Sequence, residues 1–365
     1  MPACVESERA ELEYRPDQMT SLETNATPTR TVPDPNAEQM ARMIRGFWIS
    51  QVVGTLAQLE IPDHLAGGPM DASKIASLIA CDPDATFRLL RASKAVGLVV
   101  ATPDGHFGLT PLGEKLRSDV AGSMRDSAIA MTAPGHWLPW GRLSQAVRDG
   151  RCQTKETLGA DLFQYYADCP GEGSVFTGAM SVSSAQVADE VAMLLDTSNI
   201  KRVIDVGGAS GTLIAALLKQ NPLLEGTIVE RPDVVARAKA AVAERGIASR
   251  CNVVAGDFFA GVPEADLFLL KSIIHDWDDE QSILILSNCA RALRPKGRVI
   301  LVEVVVPEDD QPSWAPLMDL NMLAVLPGRE RTASQYRDLL GCAGLRVDRI
   351  TPTASHFSMI EASAG

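Results

Sequence analysis

Lys201-Arg202-Val203-Ile204-Asp205-Val206-Gly207-Gly208-Ala209-Ser210-Gly211 reads as a buried strand that breaks into a glycine turn and opens a helix from Thr212. Without Cβ atoms at Gly207 and Gly208, a ligand can approach the backbone of the turn closely. A dinucleotide fingerprint, G-x-G-x-x-G, would need glycine at 206, where Val206 stands. The turn therefore suits a nucleotide-like cofactor, but not by that pattern.

Downstream the alternation continues. Apolar, β-rich runs at Thr227 to Val229, Val253-Val254, Leu267 to Leu270 and Val299 to Val306 are separated by helix-length segments. This predicts a mostly parallel sheet covered by helices on both faces. Glu230 closes the run after the glycine turn, where an acid can accept hydrogen bonds from both ribose hydroxyls.

Upstream the pattern is helical. Met40, Met43, Ile44, Phe47, Trp48, Val52 and Leu56 recur at three- and four-residue steps, a wide apolar stripe that asks for a partner helix. Short helices follow near Asp71 to Ala76 and from Asp82-Pro83 to Val96, and then a hairpin around Pro103-Asp104-Gly105. That succession is a winged-helix layout, which leaves a DNA-binding regulator open. Its probable reading helix, however, offers only Arg88, Arg91 and Lys94. Residues 1–38, rich in Pro, Thr and Glu without an apolar period, read as a disordered tail. The expected division is this tail, a helical domain over 39–185 that dimerises and caps the substrate, and a cofactor-binding catalytic domain over 186–365.

Composition narrows the partners. With 46 acidic against 34 basic residues, the net charge of −12 repels phosphate backbones and anionic lipid. Nucleic acid and membrane are thus not expected partners. The N-terminus has no apolar leader and no stretch approaches a membrane span, so a cytoplasmic protein is expected. Seven cysteines without a C-x-x-C pair fit a reducing compartment, and five scattered histidines form no H-x-x-x-H grip, so no metal is expected.

The glycine turn resembles the first motif of class I S-adenosylmethionine-dependent methyltransferases, D-x-G-G-G-x-G, with Asp205 ending the strand and Ala209 replacing the third glycine. The resemblance narrows further on. Gly256-Asp257-Phe258-Phe259, Lys271-Ser272-Ile273-Ile274-His275-Asp276-Trp277-Asp278-Asp279-Glu280 and Leu293-Arg294-Pro295-Lys296-Gly297 look like the plant-type small-molecule O-methyltransferases. That family includes caffeate and flavonoid enzymes and bacterial enzymes of natural-product pathways. The similarity spans roughly residues 38 to 360 and implies a Rossmann-like domain with a seven-stranded sheet behind a winged-helix-like dimerisation domain.

By motif position, the resemblance implies that Gly207 and Gly208 line S-adenosylmethionine, Glu230 holds its ribose, Asp257 and Phe258 flank its adenine, and Lys271 and Ser184 border it. The product would be S-adenosylhomocysteine. His275 would be the general base, bracketed by Glu303 and Glu330. Phe176, Met180, Asp276 and Trp277 would contact an aromatic acceptor, and the enzyme would be a homodimer. Bland alternatives stand beside these roles: a His275 ring that caps the next helix, a Glu303 facing water, a Glu330 paired with Arg329 or Arg331, and a Trp277 that only packs. A relative of the same fold doing cofactor-assisted decarboxylation or hydroxylation also remains open.

Overall fold

The computed structural model describes residues 34–309 and 311–365, so most of the expected tail lies outside the described residues. Its last part does not. Asp34 caps a helix over Pro35–Ile44 by accepting from the Asn36 amide at 2.9 Å, with proline at the first turn where its missing N–H costs nothing. A helix therefore starts at Pro35, inside the segment expected as tail up to 38. The chain divides into two compact units, one ending at Gly46 and one over Phe47–Gly365. In the first, the described helix buries no residue and leaves Met40, Met43 and Ile44 exposed.

The second unit holds the helix Gly46–Gln58 from Phe47 on, followed by Ile61–His64, Ala72–Leu78 and Pro83–Ala95, and a hairpin of β1 (Val99–Ala101) and β2 (Phe107–Leu109). Leu56, Ile61, Ile75, Leu90, Leu98 and Phe107 make its core. The winged-helix order is therefore present. In the helix Pro83–Ala95, Arg88 pairs with Asp84 at 4.0 Å and the Arg91 guanidinium lies over the Phe87 ring, so two of its three basic residues are engaged within the helix. A Cβ on Gly54 would overlap the Thr132 side chain, so the helices Gly46–Gln58 and Arg125–Thr132 meet backbone to side chain.

The expected boundary at 185/186 falls inside a continuous 25-residue helix, Pro170–Leu194. Its second half buries Val187, Ala188, Val191 and Ala192 in the core of the sheet domain. Its first half carries Phe176 and Met180 along the cavity described below. Cutting here would divide one rigid rod between two cores.

The sheet comprises β3 (Arg202–Val206), β4 (Glu225–Glu230), β5 (Cys251–Ala255), β6 (Ala265–Lys271), β7 (Leu293–Val306), β8 (Arg331–Thr332), β9 (Leu345–Pro352) and β10 (Phe357–Ala364). The order is β5-β4-β3-β6-β7-β10-β9, with the two-residue β8 pairing in parallel with the end of β7. Strands β3 to β7 run parallel, and β10 is antiparallel to both β7 and β9. One apolar cluster, including Leu213, Leu217, Ile228 and Leu267, covers one face, and another, including Phe268, Leu270, Ile285 and Tyr336, covers the other. Continuous apolar strands such as β6 follow from burial on both faces. The chain leaves β3 toward β4 on one side and returns to β6 on the other, so a crevice opens at the carboxyl ends of the strands.

Candidate active site

The polar residues given cofactor, acceptor or catalytic roles by motif position sit at that carboxyl edge or on the long helix Pro170–Leu194. Gly207 takes φ +68° as the chain turns out of β3, and its amide donates to the Val229 carbonyl at 2.9 Å. Ala209 also adopts a left-handed φ of +47°, a conformation glycine would take with less strain. Its amide donates to Glu230 Oε1 at 2.8 Å, while Glu230 Oε2 accepts from the Arg231 amide at 2.9 Å. The acid at the end of β4 thus ties the glycine turn to the strand beside it, and each oxygen keeps a lone pair for a ligand. Burial raises the Glu230 carboxyl against the pull of those two amides.

Asp205, the last polar residue of β3, is buried and its Oδ2 has no partner. Burial, reinforced by the nearby Glu230 charge, pushes its carboxyl up to about 7. Asp257 Oδ1 accepts from the Phe259 amide at 2.9 Å and shapes the turn after β5. Lys271 ends β6, donates to Ser272 Oγ at 2.9 Å and lies over the Phe357 ring. Burial brings its ammonium down to about 8, although Glu303 and Asp205 oppose that.

His275 follows β6 in a short helical turn, Ile274–Asp276. Its Nδ1–H donates to Glu330 Oε1 at 2.8 Å, and Glu303 Oε2 lies 3.7 Å from the same nitrogen. On the other side of the ring, Asp276 Oδ1 is 3.3 Å from Nε2. Glu303 is fully buried in β7, and its Oε1 accepts the Ile273 and Ile274 amides at 3.1 and 2.9 Å. It therefore holds the loop by hydrogen bonds and faces the ring with charge alone, its Oε2 making no hydrogen bond. Burial is the strongest influence on His275 and lowers its pKa, yet Glu303, Glu330 and Asp276 together outweigh it and raise the imidazole to about 10.

Three bland readings fail on this geometry. The following helix, Asp279–Ala292, is capped by Asp278, which accepts from the Gln281 amide, not by His275. Glu303 does not face water. Glu330 pairs with neither arginine: Arg329 reaches Asp279 at 3.7 Å, and the buried Arg331 donates to Asp279 and to the carbonyls of Ile274 and Trp277. Arg331 thereby clamps the His275 loop from below, a role the sequence analysis did not give it. Among the described residues, His275, Glu303 and Glu330 form the one group with ligand-like spacing, their atoms lying within 4.8 Å of one another.

A cavity of about 1480 Å³ runs from the glycine turn across His275 to the helices above. Gly207, Gly208, Glu230, Asp257, Phe258 and Lys271 line one end. Ser184, Met180 and Phe176 line it along the long helix, and His275, Asp276 and Trp277 from the sheet. Glu303 and Glu330 are not on its surface and stand behind the imidazole. Trp277 stacks on Phe163 with centroids 5.9 Å apart and meets Phe259 edge to face at 4.8 Å, so packing accounts for much of its surface. Ser181 is a contact the sequence did not flag: its Oγ is 2.6 Å from Ser210 Oγ, joining the long helix to the glycine turn. Ser184 donates to its own helix at the Met180 carbonyl.

A family model described as an O-methyltransferase domain matches residues 140–346, and one described as an O-methyltransferase dimerisation domain matches residues 41–119. The chain belongs to this O-methyltransferase family. It is 36% identical to phenazine O-methyltransferase PhzM of Lysobacter antibioticus, over 90% of this chain and 96% of that protein. It is 33% identical to 3-amino-4-hydroxybenzoate 4-O-methyltransferase of Streptomyces cremeus, over 90% of this chain and 91% of that one. The crystal structure of human N-acetylserotonin methyltransferase in complex with S-adenosylmethionine superposes with a TM-score of 0.85 at 28% identity, covering 92% of this chain and 99% of that chain. The enzyme is an S-adenosylmethionine-dependent O-methyltransferase. Its residues fit that cofactor: glycine backbone at one end of the cavity, an acid able to take more hydrogen bonds, and an orphaned buried Asp205 oxygen suit a ligand with hydroxyls and positive charge. Among the described residues, no helix is long and apolar enough to cross a membrane.

Proposed function

We propose that this methyltransferase acts on a hydroxyl of an aromatic or polycyclic small molecule, with His275 as general base. The observation that carries the reading is the imidazole whose Nδ1 is fixed by Glu330 while its ring lines the cavity. Bound S-adenosylmethionine would supply an electrophilic methyl and a sulfonium charge, held by the turn at Gly207 and Gly208, by Glu230, and by Asp257, Phe258, Lys271 and Ser184. Phe176, Met180, Asp276 and Trp277 would hold the acceptor, and the small-molecule acceptors named for the relatives support an aromatic one.

The proton is the harder part. A free phenol near pKa ~10 facing an ordinary imidazole near ~6.5 would lose its proton uphill by roughly 5 kcal/mol. Glu303, Glu330 and Asp276 raise the imidazolium to about 10, which brings donor and acceptor nearly level. His275 Nε2 takes the hydroxyl proton as the oxygen accepts the methyl, and Glu330 holds the resulting imidazolium at Nδ1, as a triad carboxylate does. Asp276, 3.3 Å from Nε2, stands on the side the hydroxyl must approach. Incubation with labelled cofactor and phenols, hydroxyquinones and hydroxyphenazines, read by mass for one added methyl, tests the function. A panel yielding only N-methylated or unmodified compounds would overturn it.

Two further outcomes follow from this reading. Asp276 is raised to about 7 chiefly by burial, like Asp205, and a raised acid keeps its proton in the folded chain after the unfolded chain has lost it. Each therefore contributes stability that is full below its ordinary value of 3.8 and is lost as pH rises through about 7. A cationic ligand offsets that loss, whereas its demethylated product lacks the sulfonium charge. The Tm increment from S-adenosylmethionine over that from S-adenosylhomocysteine should widen from about pH 5.5 to about pH 8. An increment that stays constant would separate these acids from the cofactor charge.

The second concerns assembly. On the first helix Met43 and Ile44 are more than half exposed, and on the next Phe47 and Ile49 are as well, apolar surface on each that a homodimer would cover. Sedimentation over a concentration series should show twice the chain mass, and monomer throughout would remove the dimer.

A further inference from the structure

The cavity has two walls of opposite character. The wall at the strand ends carries Asp205, Glu230, Asp233, Asp257, Asp276 and three cations, Arg231, Arg237 and Lys271. Arg231 is paired with Asp233 at 3.0 Å, Arg237 lies on the helix that follows Glu230, and Lys271 is beside the acids at the end of β6. The opposite wall, built from residues 124–186 and 314–326, contributes no Lys, Arg, Asp or Glu to the lining among the described residues. Its polar groups are uncharged ones, hydroxyls, amides and imidazole, and His136 is among the most enclosed of them.

His136 is buried and stacks on Phe176 with centroids 5.7 Å apart, and its Nδ1 is 3.1 Å from Tyr166 Oη. A neutral imidazole and a phenol each carry one proton, and this contact uses one of the two, so in either direction the pair keeps one donor to spare, at Nε2 or at the Tyr166 hydroxyl. Both His136 and Tyr166 line the cavity. Burial lowers this imidazole to about 4, so it stays neutral. Behind the pair stands Glu172, which accepts from the Gly135 amide at 2.7 Å and from Tyr165 Oη at 2.8 Å. The start of the helix Pro134–Trp140 is therefore already satisfied by a carboxylate, and a second anion there meets repulsion.

We propose that the far end of the acceptor site selects an uncharged carbonyl, received by the donor that the neutral His136–Tyr166 pair has to spare, and rejects aromatic carboxylates. This rests on the acceptor reading given above and narrows it to neutral ketone-, quinone- or amide-bearing phenols. A carboxylate placed on this wall would lose water without gaining a cation from the described residues that build it. The hydroxybenzoate methyltransferase among the relatives acts, by its name, on an acid, so the selection would separate this enzyme from that one.

The test uses 2,7-dihydroxynaphthalene, its 1-carboxamide and its 1-carboxylate as probes, with binding to the full-length enzyme measured at saturating S-adenosylhomocysteine. The amide should bind tighter than the carboxylate by on the order of 10-fold or more. Equal binding, preference for the acid, or no binding by any of the three would overturn the proposal. Asn321, half-buried on the same wall and accepting from Trp140 Nε1, offers a place for a counter-ion. Asn321→Arg should shrink the amide preference at least several-fold, roughly the worth of one exposed charge pair, and an unchanged ratio would overturn the electrostatic account. Methyl transfer is scored separately on the same probes. Discrimination in binding without O-methylation would leave this selection standing and remove the proposed function.

Discussion

Replacing His275 by alanine should lower kcat/KM by on the order of 10²-fold or more, the usual worth of a general base, while S-adenosylmethionine still binds. The cofactor end, from Gly207 to Phe258, has its own hydrogen bonds to Glu230 and Asp257 and does not depend on the ring. Alanine also leaves Glu303, Glu330 and Asp276 without the cation they share, so His275→Gln, which keeps a donor toward Glu330, separates lost chemistry from lost folding. A pH profile makes the assignment sharper. Because the resting imidazole is raised to about 10, the base form grows as pH rises, and wild-type activity should climb through an apparent pKa above the ordinary 6.5. The glutamine variant should be slow and without that limb. Native-like turnover with the limb intact would show that the proton leaves by another path.

What the sequence disclosed, and what it hid, divides along the range of the interactions. Strands β3 to β7 were legible because each is a short, continuously apolar run buried on both faces, and such runs alternating with helices leave few topologies. The glycine turn, Glu230 and His275 were legible because motif spacing fixes them to strand ends. The start of the first helix was missed: Pro33-Asp34-Pro35 looks like linker, yet it is an Asp cap with proline in the first turn. The expected 185/186 boundary falls inside the helix Pro170–Leu194, which serves two cores and so shows no single apolar face to mark its extent. Strands β9 and β10 pair antiparallel with each other at the sheet edge, and their mixed faces carry no strong run. Arg331, Ser181 and His136 depend on partners 29 to 57 positions away, which no local pattern encodes.

Gly328 is the clearest of these silent positions, and its substitution is the other large effect expected. It stands beside Arg329 and Glu330, where the sequence shows only a turn residue, and its φ is not in the left-handed region. Space, not backbone freedom, requires glycine here. A Cβ on Gly328 would overlap the His275 carbonyl oxygen and the Asp276 carbonyl carbon and come within 2.5 Å of the Trp277 amide nitrogen. These are backbone atoms, so no rotamer change relieves the overlap. The loop is also held from other sides, by Glu303 on the Ile273 and Ile274 amides and by Arg331 on the Ile274 and Trp277 carbonyls. Gly328→Ala must therefore push the His275 loop against its own anchors, or push Glu330 off Nδ1. Either way the imidazole leaves its place by about 1 Å, a misplacement that costs on the order of 10²-fold in turnover. Cofactor affinity should change little, because the glycine turn and Glu230 lie on other strands. Turnover within a few-fold of native, with the same alkaline limb, would show that the loop yields without moving the ring and that the clamp around His275 is looser than its hydrogen bonds imply.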